Sequence, residues 1–216
     1  MREPIHIGFL IYPDVTQLDA TGPAEILSRV PGAVIHMIWK TLDPVLSDAG
    51  FSILPTDTFE SCPDLDVLCV PGGLGQVPLM GDEEVLGYLK RQGEQARYVT
   101  SVCGGSLILG AAGLMKGYKA ACHWAFRDLL PTFGAKPVAK RIVVDRNRIS
   151  GGGVTAGIDF GLALAAELAD EGTAKTIQLF VEYDPRPPFD AGTPEKAGPE
   201  LEAKVRAIFD SARTST

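Results

Sequence analysis

The sequence holds only three histidines and four cysteines among 216 residues. Cys62, Cys69, Cys103 and Cys122 form no C-x-x-C pair, and Cys122-His123 stands without a second ligand pair at zinc spacing. No structural metal is expected. Basic residues are also short, with 20 Lys and Arg against 27 Asp and Glu and a net charge of −7. A nucleic-acid surface needs a basic stripe; the nearest candidate, Arg141, Arg146 and Arg148, is interrupted by Asp145. No nucleic-acid partner is expected. The longest apolar stretch, Leu107 to Leu114, contains Gly110 and Gly113 and falls far short of the roughly 20 residues of a membrane span. The opening M-R-E-P-I-H-I-G-F-L-I-Y-P-D has no A-x-A cleavage site, so it reads as a buried strand rather than a signal peptide. The expected address is the cytoplasm, where the four cysteines would be thiols.

What is present suits a packed core. Apolar residues make up 45% of the chain, and a domain this long needs no disulfide or metal staple. Four β-rich runs stand out, at Ile5–Tyr12, Val34–Trp39, Leu65–Val70 and Tyr98–Val102. Two are almost continuously apolar, as strands buried on both faces of a parallel sheet are. Helical patterns lie between them at about Thr21–Val30, Asp82–Gln95 and Gly104–Ala112. This alternation predicts an α/β fold, a doubly wound and mainly parallel sheet with helices on both faces.

The second half predicts a helix near His123–Leu130 and a hairpin, 141–145 returning at 148–150, with Asn147 suited to positive φ in its turn. Buried and amphipathic helices are expected at about Thr155–Asp170 and Thr173–Tyr183. No linker separates two domains, so residues 1–216 are expected to form one, with about 190–216 as a surface arm and helix on a flexible tether.

The sharpest local feature is S-V-C-G-G-S at 101–106. An apolar strand ends at Val102, Cys103 follows, and Gly104 and Gly105 open a small-residue helix. A nucleophile elbow needs this shape, because the reactive side chain sits on a strained strand-to-helix turn. The helix N-terminus should lower the thiol pKa from about 8.5. The plainer alternative is a buried structural cysteine before a glycine turn.

L-D-A-T-G-P at 18–23 puts Asp19 near the carboxyl end of strand one, on the side of the sheet where open α/β folds bind ligands. Asp19 could equally be an N-cap. V-P-G-G-L-G at 70–75 can present bare N–H groups to developing negative charge, but it lacks the spacing of a nucleotide loop. S-G-G-G-V-T at 150–155 reads as a tight turn. The alternative is a hinge at Gly151–Gly153 that lets the helix starting near Thr155 shift when Cys103 changes charge or becomes acylated; Val154 is also a substrate-binding candidate.

Together these segments resemble the ThiJ/PfpI superfamily, from Ile7-Gly8 through Cys103 to about Phe180. D-A-T-G-P, V-P-G-G, S-V-C-G-G-S-L-I-L-G-A-A-G-L, H-W and G-G-G-V-T-A-G-I-D-F are most similar to its isocyanide hydratases. The resemblance implies a flavodoxin-like fold, a homodimer, Cys103 as nucleophile and Asp19 as its acid/base. It implies Gly72 and Gly73 as a backbone-donor loop, and Gly104 and His123 beside the substrate. The proteolytic branch carries histidine directly after the nucleophile; Gly104 stands here, which argues against a peptidase. Hydratases often place a hydroxyl residue there, so a side-chain hydrogen bond to the thiol is missing. Related transcription regulators attach a basic helix-turn-helix after this domain, where this chain has an acidic tail.

The implied reaction needs neither metal nor organic cofactor. Cys103 thiolate attacks the terminal carbon of an isocyanide as Asp19 delivers a proton, and Asp19 then activates water to hydrolyse the thioimidate to an N-substituted formamide. A carboxyl beside a thiol in a dry pocket should hold its proton toward neutral pH. Alternatives are a glyoxalase-like enzyme on small 2-oxoaldehydes, a cysteine redox sensor, and an effector-binding module without its DNA-binding partner.

Overall fold

A computed structural model describes residues 3–214; Met1, Arg2, Ser215 and Thr216, the ends of the expected single domain, lie outside the described residues. The main sheet has seven strands: β1 (Ile5–Leu10), β2 (Ala33–Trp39), β3 (Asp57–Thr58), β4 (Val67–Val70), β5 (Tyr98–Val102), β6 (Ile142–Asp145) and β7 (Arg148–Gly151). Their order across the sheet is β6-β7-β5-β4-β1-β2-β3. Every pairing is parallel except the β6–β7 hairpin. The chain leaves β1 toward β2 on one side and returns to β4 on the other. That reversal opens a crevice at the carboxyl ends of the strands.

All four residues of β4 are buried, and their side chains alternate between the two faces of the sheet. Leu68 and Val70 join one core with Tyr88, Leu89 and Ile108. Val67 and Cys69 join another with Ala20, Ile26 and Phe160. The first core lies under helices α2 (Glu83–Gln95) and α3 (Gly105–Ala111), and the second under α1 (Gln17–Leu27) and α4 (Ala156–Leu168). Helices on both faces explain the continuous apolar runs. Asp82 caps α2, accepting from the N–H groups of Glu84 and Val85.

Several expectations are corrected. Helix α1 starts at Gln17, not Thr21, so Asp19 lies in its first turn and Gly22-Pro23 lies inside it. A Cβ on Gly22 would meet Ile158 of α4 at 3.3 Å, so this glycine permits close helix packing rather than a helix start. In place of an α-helix over His123–Leu130 there is a 3₁₀ segment, Arg127–Phe133. Pro131 within it can donate no backbone hydrogen bond. In the hairpin turn the positive φ falls on Arg146, at 57°, whose guanidinium stacks 3.6 Å from the Tyr118 ring centroid.

Helix α5 (Glu171–Phe180) follows α4, and α6 (Pro199–Thr214) ends the described chain. The segment expected as a surface arm and helix on a flexible tether makes ring contacts with the rest of the domain. Phe209 of α6 meets the rings of His123 and Phe126 at 5.2 and 5.1 Å, and Arg206 lies 4.8 Å over Trp124. Among the described residues, no helix is long and apolar enough to cross a membrane.

Candidate active site

Cys103 follows the last residue of β5 with φ at +58°, a conformation that residues with a Cβ rarely adopt. Surrounding bonds hold it there. Its N–H donates to the Gly151 carbonyl at 3.1 Å, and its carbonyl accepts from the His123 N–H at 3.2 Å. Behind the turn the Ser101 and Ser106 hydroxyls are 2.8 Å apart, and Ser106 donates to the Ala121 carbonyl at 2.6 Å. A Cβ on Gly105 would overlap the Val70 carbonyl oxygen, so only glycine lets α3 start this close to β4. The small residues of S-V-C-G-G-S therefore make a strained elbow, with Cys103 6% exposed.

Asp19 reaches the same place from α1 and is 1% exposed. Its Oδ2 accepts from the Gly72 N–H at 2.9 Å, whereas Oδ1 is buried without a hydrogen-bond partner within the protein. A Cβ on Gly72 would overlap the Gly104 nitrogen and stand 3.0 Å from Cys103 Cβ and 3.1 Å from Asp19 Oδ2. The absence of a side chain at Gly72 is what lets loop, elbow and carboxyl meet. Tyr12, fully buried, braces the loop by donating to the Pro71 carbonyl at 3.0 Å.

Burial raises the Asp19 pKa to about 7, against the pull of the Gly72 N–H and the Cys103 thiol. Burial also pushes the Cys103 thiol well up, helped by Asp19 and Cys122 and opposed by the Gly104 N–H. The expected lowering of this thiol is therefore corrected. Helix α3 is seven residues long, and its N-terminus does not offset removal of a thiolate from water. Two acids in one dry site hold at least one proton between them through neutral pH, and a proton can pass from thiol to carboxylate.

Of the other residues singled out, Gly104 lies in this cluster and Gly73 does not. A Cβ on Gly73 would meet the backbone of Asp14, Val15 and Thr16, so this glycine seats the loop against the 14–16 segment. His123 and Val154 line a neighbouring cavity of about 390 Å³, together with Cys122, Trp124, Arg127 and Lys140. Burial lowers the His123 pKa to about 4, leaving its ring neutral; Nδ1 accepts from the Ala125 N–H at 3.3 Å. Gly152 donates to the Arg141 carbonyl at 2.8 Å, extending the β6–β7 ladder past Gly151.

Sequence reasoning missed Gln76. It follows the V-P-G-G-L-G loop, is 4% exposed, and its Oε1 has no hydrogen-bond partner within the protein. A Cβ on Gly104 would overlap that oxygen. A glutamine after a glycine loop is unremarkable in sequence, so only the long-range approach of the two segments reveals it.

The DJ-1/PfpI family model matches residues 6–167. The chain belongs to the DJ-1/PfpI family. An isonitrile hydratase of Pseudomonas putida is 55% identical over 209 residues, covering 97% of this chain and 89% of that protein. A longer protein is also similar over most of this chain, 83% of it. The HTH-type transcriptional regulator GbdR of Pseudomonas aeruginosa is 30% identical over 192 residues, and the matched region is 51% of its length. Among solved structures, a ThiJ/PfpI family protein from Pseudomonas syringae superposes with a TM-score of 0.93 at 48% identity, covering 98% of this chain and 90% of that one.

Proposed function

We propose that this protein hydrates isocyanides to N-substituted formamides, with Cys103 as nucleophile and Asp19 as acid/base. The observation that carries the reading is the buried Asp19 carboxyl, its pKa raised to about 7, beside a cysteine at φ +58°. The 55% identity to an isonitrile hydratase supports the choice of substrate class. Residues 1–216 form one catalytic domain in this reading, acting in the cytoplasm.

A proton first passes from the Cys103 thiol to Asp19. The thiolate attacks the terminal carbon of R–N≡C as Asp19 returns the proton to that carbon, giving the thioimidate Cys103–S–CH=N–R. Asp19, now carboxylate, takes a proton from water as the water oxygen bonds to the same carbon, and passes it to nitrogen. The C–S bond of the tetrahedral adduct then breaks, Asp19 takes the hydroxyl proton, and R–NH–CHO leaves with thiolate and carboxylic acid restored. Below about pH 7 both groups are protonated and no thiolate forms, so kcat/KM falls on the acid side of that value. His123 and Val154 would flank the substituent R in the adjoining cavity. Gly104 would offer its N–H to the reacting centre, Gly72 would hold Asp19 there through its own N–H, and Gly73 would seat their loop.

The test is direct: the purified protein is incubated with an alkyl isocyanide and, separately, with methylglyoxal. Formamide production supports the reading. Lactate production with no formamide overturns it, as does an inert protein that only gains oxygen mass on Cys103 under peroxide. A homodimer is also proposed, because Leu179 and Phe180 at the end of α5 stand 81% and 72% exposed. Sedimentation equilibrium at micromolar concentration should give twice the chain mass, and a monomer alone would refute it.

A further inference from the structure

Two buried side-chain oxygens beside the elbow have no hydrogen-bond partner within the protein: Asp19 Oδ1 and Gln76 Oε1. A buried acceptor without a donor costs free energy comparable to a lost hydrogen bond, so a pair of them at one turn calls for a function. Both border the Cys103-Gly104 dipeptide. The Asp19 carboxyl reaches it across Gly72, and the Gln76 carboxamide lies against Gly104 in the space a side chain there would fill. Gln76 is held in place by its own backbone, its N–H donating to Gly73 O at 3.2 Å and its carbonyl accepting from the Met80 N–H at 3.3 Å. Its carboxamide oxygen is left over.

A water molecule attacking the thioimidate carbon has two hydrogens to place. One must go to a base. The second needs an acceptor that fixes the oxygen lone pair toward the carbon, since a misplacement of about 1 Å can cost 10²-fold. We propose that Gln76 is a catalytic residue of the hydrolytic half-reaction: its Oε1 and Asp19 Oδ1 are the two acceptors that hold the attacking water over Cys103. This rests on the hydratase reading above. In the step, the water O–C bond forms, one water proton passes to Asp19 and then to the thioimidate nitrogen, and the other stays on oxygen, hydrogen-bonded to Gln76, until the C–S bond breaks. Attack on the isocyanide consumes no water and does not use Gln76.

The predicted signature is therefore a split between the half-reactions. Full-length wild type, Gln76→Leu and Gln76→Met are mixed with an alkyl isocyanide, and intact mass and formamide release are followed together. Leucine and methionine suit a buried site and accept no strong hydrogen bond, and two variants guard against one misfolding. The variants should form the Cys103 adduct at close to the wild-type rate yet release formamide about 10²-fold more slowly, so the adduct accumulates and kcat falls with little change in kcat/KM. Wild-type turnover in both variants overturns the assignment. So does adduct formation slowed in parallel with turnover, which would mark Gln76 as a structural support of the elbow. If the wild type yields neither adduct nor formamide, the hydratase reading itself fails and the assignment falls with it.

Discussion

Two buried or half-buried polar clusters, one running across β1, β2 and β3 and one beyond the carboxyl end of β1, are built on opposite terms. Across β1, β2 and β3, His6 Nδ1 and His36 Nε2 are 2.9 Å apart, and His36 Nδ1 lies 2.8 Å from Asp57 Oδ2. Thr56 donates to the same oxygen at 2.7 Å, and the His6 N–H donates to Asp66 at 2.8 Å. At the carboxyl end, Asp19 Oδ2 accepts from Gly72, the Cys103 thiol bonds the same carboxyl, and Oδ1 has no partner within the protein. The same residue type responds in opposite directions. Burial pushes Asp57 up, but the Thr56 hydroxyl and His36 outweigh it, and its pKa ends below the usual carboxylate value. For Asp19 burial wins, and the pKa rises to about 7. A satisfied carboxylate is a structural tie. An under-satisfied one is held ready to exchange a proton.

Substituting each aspartate by asparagine tests that contrast most strongly. Asp19→Asn keeps the shape and an acceptor for the Gly72 N–H but cannot exchange a proton, so turnover should drop about 10²–10⁴-fold in a folded protein. Asp57→Asn should leave turnover unchanged and cost only about 1 kcal/mol or less of stability. Comparable losses of turnover in both variants would erase the distinction between the two clusters.

The pH dependence of stability should also run in opposite directions. Asp19 has a folded-state pKa raised from 3.8 to about 7, so its contribution is fully present below pH 4 and is lost as pH rises through about 7. The raised pKa corresponds to on the order of 4 kcal/mol. Asp57 is the depressed case: its contribution is present above about pH 4 and is lost as pH falls below that value. Thermal unfolding should therefore show Asp19→Asn gaining on the wild type between pH 4 and 8, while Asp57→Asn gains only in acid. A pH-independent Asp19→Asn difference would mean that its carboxyl is not buried as charge.

How legible each cluster was follows from the range of the contacts. The elbow could be read from S-V-C-G-G-S because its geometry depends on neighbouring residues: small side chains after a strand permit the tight turn that Cys103 adopts. The parallel sheet was legible for a similar reason, in the apolar runs of β1 and β4. Asp19 was located, but D-A-T-G-P suggested a helix start, whereas its glycine serves packing of α1 on α4, an approach between residues far apart in sequence. Gln76 against Gly104 and Phe209 against His123 are also long-range and have no periodic signature. The short β3, which supplies Asp57, is two residues long, too brief to register as a pattern.

The Gly104 contact can be tested by size. Gly104→Ala puts a methyl group where the Gln76 carboxamide lies, and overpacking of this kind costs about 1–3 kcal/mol. Gln76→Ala removes the obstruction, so Gly104→Ala should cost much less in that background. A double-mutant cycle on urea midpoints measures the coupling. Additive effects would show that the two residues do not compete for one space.

The smallest expected effect lies in the arm. Phe209 of α6 presents an edge to His123 and Phe126, and such aromatic pairs are worth about 0.5–1.5 kcal/mol beyond the area they bury. His123 owes its pKa of about 4 to burial, and Phe209 is part of what buries it. Phe209→Ala should open that ring to water and raise the His123 pKa toward 6.5. A histidine with a lowered folded-state pKa binds fewer protons folded than unfolded, so it costs stability as pH falls through about 6.5 toward 4. The variant, about 1 kcal/mol less stable at pH 8, should then lose less on acidification than the wild type. The imidazole signal missing from a His123→Gln spectrum identifies the ring to follow by NMR. Because His123 lines the cavity beside the elbow but does not reach the thiol–carboxyl pair, KM should shift a few-fold while kcat stays near the wild-type value. If the pKa stays near 4 in Phe209→Ala, α6 is a passenger on that surface and the neutral state of His123 is set by the core alone.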